Sequence, residues 1–217
     1  MEIVSYTVNP FRENTYLLID DGEALLVDPG FADESEWEPV ARKLEETKAK
    51  LSGILLTHAH IDHILGIPLV RKMIDQDLQV WMHPDDKYFW DYSEAQGLMF
   101  GIRIDDLGPS PLPIHVRENW KMDRFVFEVR HTPGHAPGHV VFYLENEGLL
   151  IGGDALFRDS VGRTDLHGGD FKQLEKSIRT QIYTLPDSTR VLPGHGPETT
   201  VGYEKEHNPF VKATKYI

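Results

Sequence analysis

Histidine is concentrated in a few short segments of this 217-residue sequence. Seven of the 11 histidines fall in three places: His58, His60 and His63; His131, His135 and His139; and His195. Imidazole is the commonest protein ligand for divalent metals of borderline softness, and aspartate adds a harder oxygen donor whose negative charge offsets that of the ion. The clustering therefore predicts a metal site.

The densest segment, THAHIDH, spans residues 57–63 and follows an apolar run. His58 and His60 are two residues apart in extended chain, so both side chains can reach one ion from the same side. Asp62 and His63 are adjacent and come after that pair on a turn, which favours a second ion close by. Without a metal, four ligand-type side chains in six residues would repel one another or be poorly solvated. The motif predicts two metal ions.

Three further ligand-type residues follow strands or lie in shaped loops of the second half. His135 lies in HTPGHAPGH, where proline and glycine can hold an imidazole rigidly. Asp154 ends the strand-like run LLIGGD, and His195 ends RVLPGH. Because functional residues often sit where strands give way to loops, we expect these groups to converge on one edge of the fold.

The elements that position these residues occur twice in the same order, strands first and helices after. The predicted strands are EIVSYTV, NTYLLID, EALLVDP, GILLT, LQVWMH, RFVFEVRH, GHVVFYLE, GLLIGG and RVLPGHG, and the main predicted helices cover residues 34–51 and 170–184. This order predicts an α+β protein, an αββα sandwich of two mixed β-sheets with helices on the outer faces. We expect a single domain over residues 1–217, with residues 84–112 as a candidate lid.

Composition excludes several classes of protein. The sequence has no cysteine, which rules out disulfides, iron–sulfur clusters and a cysteine nucleophile. Acidic residues outnumber basic ones by 35 to 22, so we expect no nucleic-acid partner. No apolar stretch is long enough to span a membrane, and the N-terminus has no signal-peptide pattern, so we expect a cytoplasmic protein without a membrane partner. The sequence leaves the oligomeric state open.

The motifs THAHIDH, TPGH, GGDALF and PGHG, in this order, resemble those of the metallo-β-lactamase superfamily. The resemblance covers nearly the whole chain. Within that superfamily, GGDALFRDSVGRTDLHGGD and LPGHGPETTVGYEKEHNPF look like the short glyoxalase II-like hydrolases, which cleave hydroxyacylglutathione.

The resemblance implies roles for individual residues. It assigns His58, His60 and His135 to one metal, and Asp62, His63 and His195 to the other, with Asp154 bridging both. Two divalent ions per chain are expected, with zinc as the first expectation and iron or manganese as alternatives. Asp62 and Asp154 are the predicted catalytic residues because their carboxylates hold the ions and offset their charge.

The remaining candidates lie around this predicted site. Asp28, in LVDPG, matches an early family aspartate and is expected to orient an imidazole or a loop, and His131 and His139 are expected to stabilise their own loop. Arg163, in SVGRTDLHGG, occupies the place where the family presents a basic residue to the thiol carrier, and Phe157 is a candidate for the same groove.

The implied reaction is hydrolysis of a thioester by a hydroxide that bridges the metals. Two cations lower the pKa of a shared water from near 16 to about 7, so the nucleophile needs no separate base. A thiol, with a pKa near 8.5, leaves as thiolate without a general acid. The expected partner is a small-molecule thioester of the S-acylglutathione type, such as S-lactoylglutathione.

Three other interpretations of the sequence stay open. A single-iron persulfide dioxygenase of the same superfamily also shows a GRTD stretch like residues 162–165, although the available His195 fits the hydrolase pattern better. A lactonase or other ester hydrolase would use the same nucleophile. A non-catalytic metal-binding protein is the alternative of another class.

Overall fold

The computed structural model describes residues 1–122 and 124–212 of the chain. Their contacts form two compact units: unit 1 contains Met1–Ile114 and a short return that ends at Phe125, and unit 2 contains His115–Met122 and the described residues from Val126 to 212. No helix in the described parts has both the length and the apolarity that a membrane crossing requires. That the whole chain forms one domain stays a prediction.

Unit 1 contains a six-stranded mixed sheet in the order β1-β2-β3-β4-β5-β6. Its strands are β1 Glu2–Val8, β2 Glu13–Asp20, β3 Glu23–Val27, β4 Lys50–Leu55, β5 Val80–Met82 and β6 Leu112–Pro113. Its helices are α1 Glu34–Thr47, α2 Ile61–Ile64, α3 Ile67–Met73, α4 Lys87–Asp91 and α5 Ser93–Met99, with a 3-10 turn at Pro84–Asp86. The first three strands form the predicted antiparallel meander, and the strands from β3 to β6 pair in parallel.

Local residue chemistry explains the hairpin between β2 and β3 and the crossover helix α1 between β3 and β4. Asp21 and Gly22 both have positive φ, as a two-residue hairpin turn requires. Asp33 caps α1 by accepting from the backbone amides of Ser35 and Glu36, and the helix buries its apolar stripe. The helix ends earlier than residue 51, the predicted end, because Lys48 adopts a left-handed conformation with φ 54°. Leu51 therefore belongs to β4.

Unit 2 contains a second six-stranded mixed sheet in the order β14-β13-β10-β9-β8-β7, and a separate two-stranded ribbon, β11-β12. Its strands are β7 Arg117–Met122, β8 Phe125–His131, β9 Val140–Leu144, β10 Leu149–Gly153, β11 Leu156–Phe157, β12 Ser160–Val161, β13 Arg190–Pro193 and β14 Thr199–Thr200. Its helices are α6 Phe171–Ser177 and α7 Val201–His207, with a 3-10 turn at Glu145–Glu147 and a π-helical turn at Ile178–Ile182. The parallel pair β10-β13 makes this sheet mixed.

The helix predicted over residues 170–184 starts as expected and then changes its form. Asp170 caps α6 by accepting from the backbone amides of Lys172 and Gln173. After Ser177 the chain continues as a π-helical turn. The apolar stripe of both parts, Leu174, Ile178 and Ile182, is buried in the core of unit 2. Packing of this stripe tolerates the change of helix type.

Candidate metal centre

Three histidines of unit 1 lie together at the turn from β4 into α2. His58 and His63 are fully buried, and His60, the residue before α2, is nearly so. The ring of His58 is 4.7 Å from that of His60 and 4.1 Å from that of His63, centroid to centroid. Asp62 is more exposed, and its Oδ2 lies 3.9 Å from Nε2 of His63. The strand-to-helix turn thus collects four ligand-type side chains.

The carboxylate of Asp28 orients two of these rings. The hydroxyl of Thr57 donates to Asp28 Oδ2 over 2.6 Å, and the Thr57 amide donates to Oδ1 over 2.8 Å. Because the hydroxyl proton is committed to Asp28, Nδ1 of His58, 3.0 Å from Thr57 Oγ1, is the donor in that contact. Nδ1 of His63 donates to Asp28 Oδ2 over 3.1 Å.

These bonds determine the tautomers of the neutral rings. With the proton on Nδ1, Nε2 of His58 and of His63 carries the lone pair that a metal ligand needs. Ligand atoms of Asp28, His58 and His63 lie within 4.8 Å of one another. Since the Asp28 carboxylate already accepts from both Thr57 and His63, we assign it to orientation of the rings. Asp28 is the aspartate that the sequence analysis expected to orient an imidazole or a loop without being a ligand itself.

The backbone near Asp28 and Asp62 is held by groups that the sequence analysis missed. Asp28 has φ 50°, a left-handed conformation that is costly for a non-glycine residue and is tolerated where the surroundings fix it. Asn9 Nδ2 donates to the carbonyls of Gly30 and Asp62 over 2.9 and 3.0 Å. A Cβ on Gly30 would overlap the Asp62 carbonyl and the Glu13 carboxyl.

Glu13 is a second buried carboxyl near His63. Its Oε1 lies 3.9 Å from His63 Nδ1, and burial raises the pKa of Glu13 well above its usual range. The Thr15 hydroxyl lies 2.9 Å from Glu13 Oε2 and 2.7 Å from the Asp28 carbonyl. A hydroxyl has one proton to donate, so a protonated Glu13 satisfies both contacts. The signal in the sequence is a run of polar residues, Glu13 to Thr15, at the start of a strand that is otherwise apolar.

The ligand-type residues of unit 2 meet at the carboxylate of Asp154. Its Oδ2 lies 3.5 Å from Nε2 of His135 and 3.5 Å from Nε2 of His195. His135 comes from the loop between β8 and β9, Asp154 follows β10, and His195 follows β13. Nδ1 of His135 lies 2.7 Å from the Arg163 carbonyl, which can only accept, so the lone pair of this neutral ring is also on Nε2.

His139 and His131 engage their own part of unit 2. Nε2 of His139 accepts from the Asp154 amide over 2.9 Å, and its Nδ1 lies 2.7 Å from the Thr132 hydroxyl. Nε2 of His131 lies 2.8 Å from the Pro137 carbonyl. Both rings therefore stabilise the loop that carries His135, and His139 also fixes the backbone of Asp154.

The two candidate substrate residues lie beside these ligand-type groups. Arg163 forms two hydrogen bonds with Asp165, of 2.7 and 2.8 Å, which raise the pKa of Arg163 and lower that of Asp165 to about 2. The ring of Phe157 lies edge-on to His195, with centroids 6.0 Å apart. A Cβ on Gly162 would overlap the Asp154 carbonyl. A substrate role for Arg163 and Phe157 stays a prediction.

The donors in each unit fit a first-row divalent metal. Unit 1 presents three buried imidazoles beside one carboxylate, and unit 2 presents two imidazoles on either side of a carboxylate oxygen. In His58, His63 and His135, protein oxygens hold Nδ1, which is the orientation that ligand histidines need. Nitrogen and oxygen donors suit zinc, iron or manganese.

Comparison with known proteins identifies the family. Residues 8–195 match the profile of the metallo-beta-lactamase superfamily. The chain is 38% identical over 208 residues to the "Probable metallo-hydrolase M6_Spy0554" of Streptococcus pyogenes serotype M6, covering 91% of this chain and 85% of that protein. It is 35% identical over 216 residues to "Hydroxyacylglutathione hydrolase GloC" of Haemophilus influenzae, covering 98% and 99% of the two chains.

Solved structures agree with this assignment. BLEG-1, a B3 metallo-beta-lactamase, superposes with a TM-score of 0.87 at 36% identity, covering 97% of this chain and 99% of its own. TTHA1623, solved in a di-iron-bound form, gives 0.84 at 38% identity, covering 96% and 100%. ETHE1 from Myxococcus xanthus gives 0.72 at 28% identity, covering 96% and 84%. The predicted α+β class and fold are confirmed, and the chain belongs to the metallo-β-lactamase superfamily as a metallo-hydrolase.

Proposed function

We propose that this metallo-hydrolase cleaves thioesters of the S-acylglutathione type, with S-lactoylglutathione as the representative substrate. Its seven ligand-type residues would hold two divalent ions in the arrangement that the family resemblance assigns: His58, His60 and His135 for one, Asp62, His63 and His195 for the other, and Asp154 for both. Zinc is the proposed metal, with iron or manganese as alternatives. Support for the substrate class comes from similarity to the GloC hydrolase over nearly the full length of both chains.

The observation that carries the metal proposal is the common orientation of the imidazoles. His58, His63 and His135 each use Nδ1 for a protein oxygen, and three different groups provide those oxygens. When bound, two divalent ions supply a hydroxide nucleophile at neutral pH and polarise the carbonyl of the substrate. Asp62 and Asp154 supply negative charge that offsets that of the ions.

The leaving group favours a thioester over an amide. A thiol with a pKa near 8.5 departs as thiolate, whereas an amine must be protonated first. Among the described ligand-type residues, we assign none to protonation of a leaving amine, and a leaving thiolate needs no such acid.

We propose that Arg163 binds a carboxylate of the thiol carrier in exchange for Asp165, since an arginine fork matches a carboxylate. Arg163→Met should then raise KM for S-lactoylglutathione about tenfold and leave kcat unchanged.

The test combines metal analysis of the purified protein with turnover of S-lactoylglutathione, a simple ester, a lactone and a β-lactam. The β-lactam is included because one structural neighbour is a B3 metallo-beta-lactamase. We expect close to two metals per chain and fastest turnover of the thioester. One iron per chain, oxygen consumption with a persulfide and no hydrolysis would replace the proposal with the dioxygenase alternative. Metal binding with no turnover of any compound would indicate a non-catalytic protein.

A further inference from the structure

The backbone of Ala59 lies between two predicted metal ligands, His58 and His60. Ala59 is fully buried, and its side chain is a single methyl group. The N–H and C=O groups of a buried residue need partners, because leaving one unsatisfied costs free energy comparable to a lost hydrogen bond. The partners of this residue come from side chains distant in sequence, and both belong to the predicted lid.

The amide of Ala59 donates to the side chain of Asp86. Its nitrogen lies 3.0 Å from Asp86 Oδ2, across 27 positions of the sequence. Asp86 is fully buried and ends the 3-10 turn Pro84–Asp86. Burying a carboxylate is costly unless hydrogen bonds compensate for its lost solvation. A buried aspartate directed at this amide therefore indicates that the amide must be held in place.

The carbonyl of Ala59 accepts from Gln96, a half-buried residue of α5. Nε2 of Gln96 lies 3.2 Å from the Ala59 carbonyl and 2.7 Å from the Phe89 carbonyl, so its two amide hydrogens have one acceptor each. The ring of Phe89 also packs edge-on against His60, with centroids 4.6 Å apart. Gln96 thus ties α4 and α5 to the backbone between the two histidines.

We infer that Asp86 and Gln96 are positioning residues, which hold both backbone polar groups of Ala59, its N–H and its C=O, and thereby fix the relative placement of His58 and His60. The inference rests on the proposed metal role of these histidines. It assigns the predicted lid segment a supporting task in addition to any motion, because three of its residues contact this short stretch. The backbone clamp complements Asp28, which orients His58 through the Thr57 hydroxyl.

Gln96→Leu tests the clamp by removing the donor at nearly constant volume. In the metal-free protein we expect faster hydrogen exchange at the Ala59 amide. In titration with Zn²⁺ against a chromophoric chelator we expect about tenfold weaker binding, as for other residues that orient ligands. Gln79→Leu is the matched control: Gln79 is exposed and donates to the Asp77 carbonyl over 3.0 Å, away from the histidines. It should leave both readouts unchanged.

Variants of Asp86 separate positioning from folding. Asp86→Asn keeps an oxygen that can accept from Ala59 and should retain most of the Zn²⁺ affinity, whereas Asp86→Ala should lose about tenfold or more. If Asp86→Ala does not fold, Gln96→Leu decides the question. Unchanged Ala59 exchange and Zn²⁺ affinity in Gln96→Leu, with only a lower unfolding free energy, would overturn the clamp. If the unmodified protein binds none of Zn²⁺, Fe²⁺ and Mn²⁺, the proposed function fails, and Ala59 exchange still tests the clamp.

Discussion

Asp28 in unit 1 and Arg163 in unit 2 orient predicted metal ligands by different means. Asp28 uses its side chain, which accepts from His63 directly and from His58 through Thr57. Arg163 uses its backbone carbonyl, which accepts from His135. Any residue provides a carbonyl, whereas only an acidic residue provides a carboxylate. Orientation in unit 1 therefore depends on side-chain identity, and orientation in unit 2 depends on the path of the backbone.

The two regions also differ in how their ligands are collected. In unit 1 the four ligand-type residues come from six consecutive positions on one turn. In unit 2 two residues from separate loops, His135 and His195, meet at Asp154, whose backbone is itself held by His139. Loss of Asp154 in unit 2 should therefore disturb the several loops that meet at its carboxylate. In unit 1, loss of one ligand-type side chain should affect only the single turn that carries it.

The largest effect is expected from loss of Asp154, the residue at which the ligand-type side chains of unit 2 meet. Asp154→Ala removes the carboxylate between His135 and His195 and should reduce both metal content and turnover. Metals contribute several kcal/mol of barrier lowering, so turnover should fall by about 1,000-fold or more. His58→Ala in unit 1 should cause a comparable loss. Elemental analysis and S-lactoylglutathione kinetics measure both.

The control for that pair is His207→Ala. His207 is exposed on α7 and stacks on Tyr203, with ring centroids 4.5 Å apart. This variant should keep metal content and turnover. If Asp154→Ala also retained both, the predicted ligand set would be wrong in unit 2, and a comparable loss in His207→Ala would show that histidine removal acts through general destabilisation.

Asp28→Ala should show the next largest effect, because it deletes the acceptor for His63 and Thr57 together. Loss of a residue that orients ligands typically costs 10- to 100-fold in metal affinity, and the upper end of about 100-fold is expected for two affected rings. Competition for Zn²⁺ with a chelator measures it. Asp33→Ala is the control, since Asp33 caps α1. It should cost about 1 kcal/mol of unfolding free energy without affecting Zn²⁺ affinity.

The contrast between the regions also explains what the sequence could predict. The motif at residues 57–63 and the helix that starts at Glu34 are local patterns, and in the structure the motif lies on a strand-to-helix turn and the helix is α1. Asn9, Glu13 and Thr15 were missed because their roles depend on distant partners: Asn9 reaches Asp62 across 53 positions. No local period encodes such a pairing. Very short strands such as β11 and β12 were missed because two residues carry no detectable alternation.

Gly162→Ala should break the backbone-based orientation in unit 2. The added Cβ would overlap the Asp154 carbonyl and lie 3.0 Å from His135 Nδ1, so the loop that presents the Arg163 carbonyl must shift. We expect a loss of about 1–3 kcal/mol in unfolding free energy and about tenfold in Zn²⁺ affinity. Chemical denaturation and Zn²⁺ competition measure the two effects.

Gly152→Ala is the matched control for this substitution. A Cβ there meets its nearest neighbour, Cγ1 of Val191, at 3.1 Å, and a side chain yields more easily than a backbone carbonyl. The variant should keep Zn²⁺ affinity within experimental error. Equal losses of Zn²⁺ affinity in both alanine variants would mean that any added methyl group in this region disturbs the site. That result would contradict a special role of the Arg163 carbonyl in orienting His135.

The smallest effect on Zn²⁺ affinity is expected from Arg163→Met, because the carbonyl that accepts from His135 remains. The effect should appear at Asp165 instead. Its pKa, lowered to about 2 chiefly by the Arg163 hydrogen bonds, should return towards 3.8 in a carbon NMR titration. A lowered pKa stabilises the fold above pH 3.8, and that contribution is lost as pH falls through about 2. Arg190→Met, which breaks a surface pair with Glu198, is the control. A loss of Zn²⁺ affinity in Arg163→Met alone would show that unit 2, like unit 1, relies on a side chain.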